Sequence, residues 1–211
     1  MFAACTYEEI EQIERRVENM EIVVFLFVRS TEESIIKEFE YIHYNSGRYC
    51  SIYAIGYTND ISKENDRRFR KVDVYTNGEW YFSMKDFAEF KEKLQDRIKW
   101  EYSGETEILV LQNNPGKPRP LNFSNYAAIN INKGIREGYI DSFQSFMESL
   151  IRSSKKNVTA HNAIRDVGNS RISIKDMITS AIEDCKKVPT PIKEIMKNRL
   201  FYRCANINRA S

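Results

Sequence analysis

The chain has 211 residues, 42% hydrophobic and 29% charged, a balance typical of a globular protein with a sizeable core. Its most apolar run, Ile22 to Val28, is far shorter than the roughly 20 residues of a membrane-spanning helix and follows a charged helix, so the sequence predicts neither a membrane span nor a signal peptide. The net charge of +2 hides a division, because residues 1–150 hold 19 basic and 25 acidic residues whereas residues 151–211 hold 13 and 5. We therefore expect a cytoplasmic protein with an acidic body and a basic C-terminal part.

The first part of the chain predicts a strand–helix–strand unit behind an N-terminal helix. Thr6 begins a capping box, which indicates a helix over residues 7–19. The apolar run 22–28 predicts a strand covered on both faces, Ser30 is placed to cap a second helix, and residues 51–57 predict the next strand. Because a strand, a helix and a strand in this order usually form a crossover, we expect the two strands to be parallel.

The next stretch predicts a loop, a hairpin and a helix. Residues 58–69 are polar and charged, as in a surface loop. Asn77-Gly78 is typical of a two-residue type I′ turn, so residues 70–82 predict an antiparallel hairpin. Ser83 then caps a helix over residues 84–99.

A similar series follows. Residues 107–112 predict a strand, and the loop after it, residues 113–120, contains three of the five prolines. Residues 122–140 predict a second hairpin around Lys133-Gly134, and Asp141 is placed to cap another helix. The fold class is therefore α/β, with a mixed sheet, a parallel βαβ centre and two antiparallel hairpins that each precede a helix.

The two series align without a gap at a shift of 56 residues, which predicts an internal repeat of residues 50–99 in residues 106–155. The alternative is that two amphipathic strand–hairpin–helix patterns align without common origin. We divide the chain into an α/β domain at 1–155, a polar linker at 156–172, and a basic tail of two amphipathic helices at 173–211.

The order of elements between residues 22 and 98 resembles the thioredoxin fold, with VYTNGEWYF where that fold has its last hairpin. The position of the redox motif reads Arg29-Ser30-Thr31-Glu32 and contains no cysteine, and Phe69-Arg70-Lys71 lacks the proline that normally precedes the hairpin strand. The resemblance therefore implies a fold without thiol–disulfide exchange. Cys50, at the start of a strand, is expected to be a packed side chain.

Motifs for the common chemistries do not occur in the sequence. The four cysteines form no CxxC pair, and neither His43 nor His161 stands at a metal-ligand spacing, so we expect no metal. Neither GxSxG nor a glycine-rich phosphate loop is present, so we expect no cofactor and favour a protein that is not an enzyme. The acids Asp60, Glu64 and Asp66 lie together, but on a loop rather than at strand ends as in metal-dependent nucleases.

Two groups of residues are candidates for binding. The first comprises candidate anion-binding residues in two places, at the start of the second helix and in the proline-rich loop: Arg29, Ser30 and Thr31, and Asn113, Lys117 and Arg119. The second is the basic tail, whose cations and aromatic residue can contact a partner or a nucleic acid: Lys186, Lys187, Lys193, Lys197, Arg199, Tyr202 and Arg203.

These features favour a non-catalytic binding or regulatory protein that acts by protein–protein contact or by self-association of its basic C-terminal helices. One alternative is a nucleic-acid-binding protein, with or without hydrolase activity, that uses the same tail. Another is an enzyme or ligand-binding protein with an anion site at the carboxyl edge of the sheet. The basic residues can also serve solubility alone.

Overall fold

The computed structural model describes residues 6–17, 20–72, 79–115, 117–164, 178 and 202–206. These residues form a five-stranded mixed sheet, a three-stranded antiparallel sheet and six α-helices. The predicted α/β class is confirmed. The division into a domain, a linker and a tail stays a prediction, and the elements found in its C-terminal part are described below.

The order of helices and strands agrees broadly with the prediction as far as β7 and differs from it after residue 130. In chain order they are α1 (Tyr7–Arg16), β1 (Ile22–Phe27), α2 (Glu33–Ile36), α3 (Phe39–Asn45), β2 (Ser51–Ala54), β3 (Tyr57–Thr58), a 3₁₀ turn (Ile61–Lys63), β4 (Arg70–Val72), β5 (Trp80–Phe82), α4 (Met84–Gln95), β6 (Glu107–Asn113), β7 (Leu121–Asn130), α5 (Ile131–Arg136), α6 (Phe143–Ile164) and β8 (Tyr202–Asn206).

The central sheet has the strand order β2-β1-β6-β7-β8. β1 pairs with β2 in parallel, Val24 opposite Ile52, which confirms the predicted crossover. On its other side β1 pairs antiparallel with β6, Val24 opposite Val110. All six residues of β1 are buried, as expected for a continuous apolar run at the centre of a sheet.

Helices cover both faces of this sheet. Phe25 of β1 packs edge-on against Phe90 of α4, with ring centroids 5.1 Å apart, and Tyr7 of α1 contacts the same ring at 5.8 Å. Cys50 precedes β2 and hydrogen-bonds Ser154 of α6. Because alternate residues of paired strands face opposite sides of a sheet, Cys50 and Phe25 lie on opposite faces. The central sheet thus has α1 and α4 on one face and α6 on the other.

The predicted strand 51–57 is in fact two strands in different sheets. β2 ends at Ala54, and Gly56 has φ +79°, a left-handed conformation that turns the chain away from the central sheet. A Cβ at Gly56 would lie 2.9 Å from Cβ of Phe87, so the bend also needs a residue without a side chain. β3 then pairs with β5, Tyr57 opposite Phe82, in the second sheet, whose order is β3-β5-β4.

The first predicted hairpin is confirmed, and its register differs from the one that a two-residue turn at Asn77-Gly78 would give without a bulge. β4 and β5 are antiparallel with Val72 opposite Trp80, whereas a two-residue turn at Asn77-Gly78 would set Tyr75 opposite Trp80. The turn itself, within residues 73–78, lies outside the described residues. Because this hairpin belongs to a sheet separate from β1 and β2, the thioredoxin-like order of elements does not produce a thioredoxin-like sheet.

The second predicted hairpin is wrong. β7 pairs antiparallel with β6, but it is followed by helix α5, so that Lys133-Gly134 lies inside a helix rather than in a turn. The side chain of Asn130 accepts a hydrogen bond from Lys133 N at 2.8 Å and so caps this helix. β2 is parallel to β1 whereas β6 is antiparallel to it, so the structure gives no support to the predicted repeat of residues 50–99 in 106–155.

Two predicted helix starts are displaced. The second helix begins after Glu32 instead of after Ser30, has no side-chain cap, and is interrupted between α2 and α3. α6 begins after Ser142, whose hydroxyl accepts from Ser145 N at 3.1 Å, so Asp141 is not the cap. The predicted caps at Thr6 and Ser83 are confirmed.

The C-terminal part also differs from the prediction. α6 continues to Ile164, through half of the stretch predicted as a linker at 156–172. Within the predicted helical tail at 173–211, Ile178 is helical and fully buried in the core, but residues 202–206 form the strand β8. The rest of the two predicted tail helices lies outside the described residues.

Candidate functional site

The predicted anion site begins where β1 ends. Arg29 lies at this carboxyl edge, and its Nη2 is 3.0 Å from Oε1 of Glu32, with the Arg29 side chain 53% exposed. Ser30 and Thr31 precede α2, which contains only four residues. The guanidinium is therefore already paired with a carboxylate, and the helix behind it is too short to present a full set of free amides.

Aromatic rings form the inner wall of this edge. Tyr57 donates from its hydroxyl to the carbonyl oxygen of Val28 at 3.2 Å. The ring of Tyr102 packs against Phe27 and Phe87 at 5.8 and 5.6 Å, and burial raises the pKa of Tyr102 to about 12. Its hydroxyl is buried without a hydrogen-bond partner among the described residues. At neutral pH this hydroxyl is a proton donor, not a general base.

Ion pairs and hydrogen bonds connect the charged side chains at the carboxyl end of β1. Arg136 binds both carboxylate oxygens of Glu105, at 2.6 and 3.1 Å, and these bonds lower the pKa of Glu105. Asn130 donates to the same carboxylate at 2.9 Å. Glu107 is buried and accepts from Trp100 Nε1 at 2.7 Å. Carboxylates and guanidinium groups at this edge therefore have partners within the protein, which leaves little positive charge for an external anion.

The proline-rich loop lies at the opposite end of the strands, about one strand length from Arg29. Phe27 is opposite Glu107, whereas Ile22, at the other end of β1, is opposite Gln112. Since a strand rises about 3.3 Å per residue, the two ends of β1 are about 17 Å apart. The two candidate anion-binding places, at Arg29 to Thr31 and at Asn113 to Arg119, thus lie at opposite ends of the strands.

Asn113 has a structural role. Its side chain is buried, and Nδ2 donates to Glu14 Oε2 at 2.5 Å and to Met20 O at 2.9 Å. Lys117 and Arg119 are exposed on the loop. The loop is closed by a bond from Asn114 N to Pro120 O, so its backbone conformation is set by internal contacts.

Glu14 is a buried ionisable group that the sequence interpretation missed. Its side chain is fully buried under α1 and accepts from Tyr53 Oη at 2.6 Å as well as from Asn113. Burial raises the pKa of Glu14, and the hydrogen bonds from Tyr53, Ser51 and Asn113 oppose this rise. The signal was its position four residues after Ile10, which places Glu14 on the apolar face of the helix. It ties α1 to β2 through Tyr53 and to β6 through Asn113, at the end of the strands opposite Arg29.

The second predicted group, in the basic tail, is only partly described. Tyr202 and Arg203 belong to β8, where they lie opposite Ile129 and Ala128 of β7. The remaining residues of this group lie outside the described residues: Lys186, Lys187, Lys193, Lys197 and Arg199. The two described members are held in a sheet and not on a helix as predicted.

Cys50 is buried, and burial raises its pKa to about 12, which confirms the prediction of a packed thiol. Among the described residues no three His, Cys, Asp or Glu side chains are grouped so as to hold a metal ion. No described helix is long and apolar enough to cross a membrane.

Comparison with known proteins gives no relative: no family model, curated protein or solved structure matches this chain.

Proposed function

We propose that this is a non-catalytic binding or regulatory protein that acts by protein–protein contact, and that its first partner is a second copy of the same chain. The contact uses the C-terminal segment, residues 173–211. The observation that carries the proposal is the position of β8, which is the outermost described strand of the central sheet and is supplied by this segment.

The attachment of the C-terminal segment supports this function. Ile178 is fully buried in the core, and β8 pairs with β7 through five residue pairs. The described residues of this segment, 178 and 202–206, are therefore attached to the domain at defined places. A partner that binds β8 meets a rigid sheet, which lowers the entropy cost of the contact.

The charge distribution also supports self-association. Residues 1–150 carry a balance of −6 and residues 151–211 a balance of +8. Opposite charges on two parts of one chain attract each other between copies as well as within one copy. The carboxyl edge of the sheet is a weaker candidate for contact with an anion, because Arg29 and Arg136 are both paired with glutamates.

Light scattering on the full chain over a wide range of concentrations, at low and high salt, tests this function. We expect the mass to rise with concentration and the rise to be smaller in high salt, because salt screens the attraction. Lys197→Glu should weaken association more than the matched control Lys85→Glu, which changes the charge equally at an exposed position on α4. A monomer at every concentration would overturn self-association. If such a monomer bound a labelled single-stranded oligonucleotide in a salt-dependent way, the nucleic-acid function would replace it.

A further inference from the structure

β8 has one neighbouring strand among the described residues. It pairs with β7 on one side, and alternate backbone N–H and C=O groups of any strand point to the other side. Sheet edges are commonly protected by proline, by charged side chains or by a bulge. β8 reads YRCAN, contains no proline and a single charged residue, Arg203, and keeps an unbroken register with β7. Within the described part of the chain it is therefore a regular edge strand to which another strand can be added.

We propose that β8 pairs antiparallel with β8 of a second copy, about a two-fold axis at Cys204, so that the two central sheets become one. The proposal rests on the self-association proposed above and specifies its contact. A two-fold contact uses the same surface on both copies, so no second binding surface is needed.

Geometry and charge select this register. In an antiparallel pair, two residues that lie opposite each other both turn their hydrogen-bonding groups towards the partner strand or both turn them away. Neighbouring residues of one strand differ in this respect, so a residue cannot lie opposite its neighbour's copy. When a strand pairs symmetrically with its own copy, one residue therefore lies opposite itself at the two-fold axis. A centre at Arg203 sets two arginines opposite each other, which destabilises the pair. A centre at Ala205 pairs fewer residues of β8. A centre at Cys204 pairs Tyr202 with Asn206 and Arg203 with Ala205, so all of β8 is used.

The pairing also agrees with the charge division of the chain. Neighbouring strands are about 4.8 Å apart, so β8 of one copy would lie about 10 Å from β7 of the other. β8 belongs to the basic residues 151–211, and the pairing brings it near a strand of the partner's acidic residues 1–150. Because the shared edge is short, the dimer should be weak and depend on concentration.

Two substitutions at one position test the register. Ala205 would lie opposite Arg203 of the other copy, so Ala205→Glu should strengthen the dimer and Ala205→Lys should weaken it. Two symmetric pairs change at once, so the dissociation constants of the two variants should differ by roughly 3- to 30-fold. Within one copy both side chains stand opposite the same residue, Tyr126, and melting at low concentration shows whether either variant harms the monomer.

A cross-link tests the centre of the contact. Opposite residues of an antiparallel pair have Cβ atoms about 4.5–5.5 Å apart, close enough for a disulfide after a small adjustment. In a full-length variant with Cys5→Ser and Cys185→Ser, diamide should oxidise two Cys204 thiols to one disulfide, taking up two electrons and two protons. A disulfide-linked dimer should form, and adding Cys204→Ser should abolish it, since Cys50 is buried.

The outcomes separate this contact from the function on which it rests. A dimer in which both Ala205 variants behave alike and Cys204 does not cross-link overturns the β8 contact but leaves self-association standing. A chain that is monomeric at every concentration overturns both. Opposite effects of glutamate and lysine, together with the Cys204 cross-link, establish the contact.

Discussion

Replacing Glu14 by glutamine should remove a pH dependence of stability that its buried carboxyl group imposes. Glu14 is fully buried, and burial raises its pKa above the ordinary value of 4.5. The folded protein therefore holds this proton more tightly than the unfolded chain does. The stability that Glu14 contributes is full below the unfolded pKa and is lost as the pH rises through the folded pKa.

The size of the change in the free energy of unfolding depends on the pKa shift of Glu14 and on its hydrogen bonds. Each unit by which the folded pKa exceeds the unfolded pKa lowers the free energy of unfolding by about 1.4 kcal/mol once both pKa values are passed. Glutamine keeps the shape and one acceptor for Tyr53, but its Nε2 would face Asn113 Nδ2, donor against donor, at a cost of about 1–3 kcal/mol. Glu14→Ala removes both acceptors and should cost about 2–4 kcal/mol.

Urea unfolding of wild type and Glu14→Gln between acidic and neutral pH measures this effect, provided that the m-value is unchanged. The free energy of unfolding of the wild type should exceed that of Glu14→Gln by the largest amount at the acidic end of the range. Glu8→Gln on the same helix is the control of opposite sign, because the hydrogen bond from Lys93 lowers the pKa of Glu8 and its contribution is lost as the pH falls. If the Glu14→Gln and wild-type profiles are parallel throughout, the reasoning about the buried carboxyl is wrong.

Three further predictions concern the fold. Gly56→Ala should lower the free energy of unfolding by about 2–4 kcal/mol, because the new Cβ would sit at a positive φ and only 2.9 Å from Cβ of Phe87. The control Gly104→Ala, with φ +84° and no atom within 4 Å, should cost only about 1 kcal/mol. Chemical denaturation compares the two variants, and equal losses would contradict the close contact at Gly56. Ser83→Ala should cost about 1 kcal/mol, because the hydroxyl that accepts from Asp86 N at the start of α4 is lost; an unchanged urea midpoint would exclude this role of the cap. Cys50 should react with a thiol reagent only after unfolding, and mass-spectrometric labelling of Cys50 in the native protein would show that its burial is incomplete.

The elements with strong local signals could be predicted from the sequence. The caps at Thr6 and Ser83 are formed by side chains that reach a nearby backbone amide, and such bonds depend on residues three positions apart. The continuous apolar run of β1 likewise predicted an interior strand that is buried on both faces.

Features that depend on distant residues could not be predicted in the same way. The bend at Gly56 is required by the close approach of Phe87, more than 30 positions later. Lys133-Gly134 has the composition of a turn, yet Asn130 caps a helix there and Ile140 packs at 2.6 Å from the position of a Gly134 Cβ. Tertiary contacts override turn propensity at this place.

The candidate sites, too, could be predicted where the signal is local and not where it depends on distant residues. The sequence identified Arg29 as the residue at the carboxyl edge, but its pairing with Glu32 and the opposite location of Asn113 depend on strand order. The strand β8 was missed because Tyr202–Asn206 pairs with a strand far away in the sequence, and five residues carry no periodic signal of their own.

The pairing of β7 with β8 also has a consequence for how the chain folds during synthesis. Ile129 and its partner Tyr202 are separated by about 70 positions, so one side of β7 has no native partner until most of the later chain has been made. Closing so long a loop is slow in comparison with helix formation. In that interval β7 is an open template for foreign strands, and a ribosome-bound chain stalled after α6 should be more prone to aggregate than the completed protein.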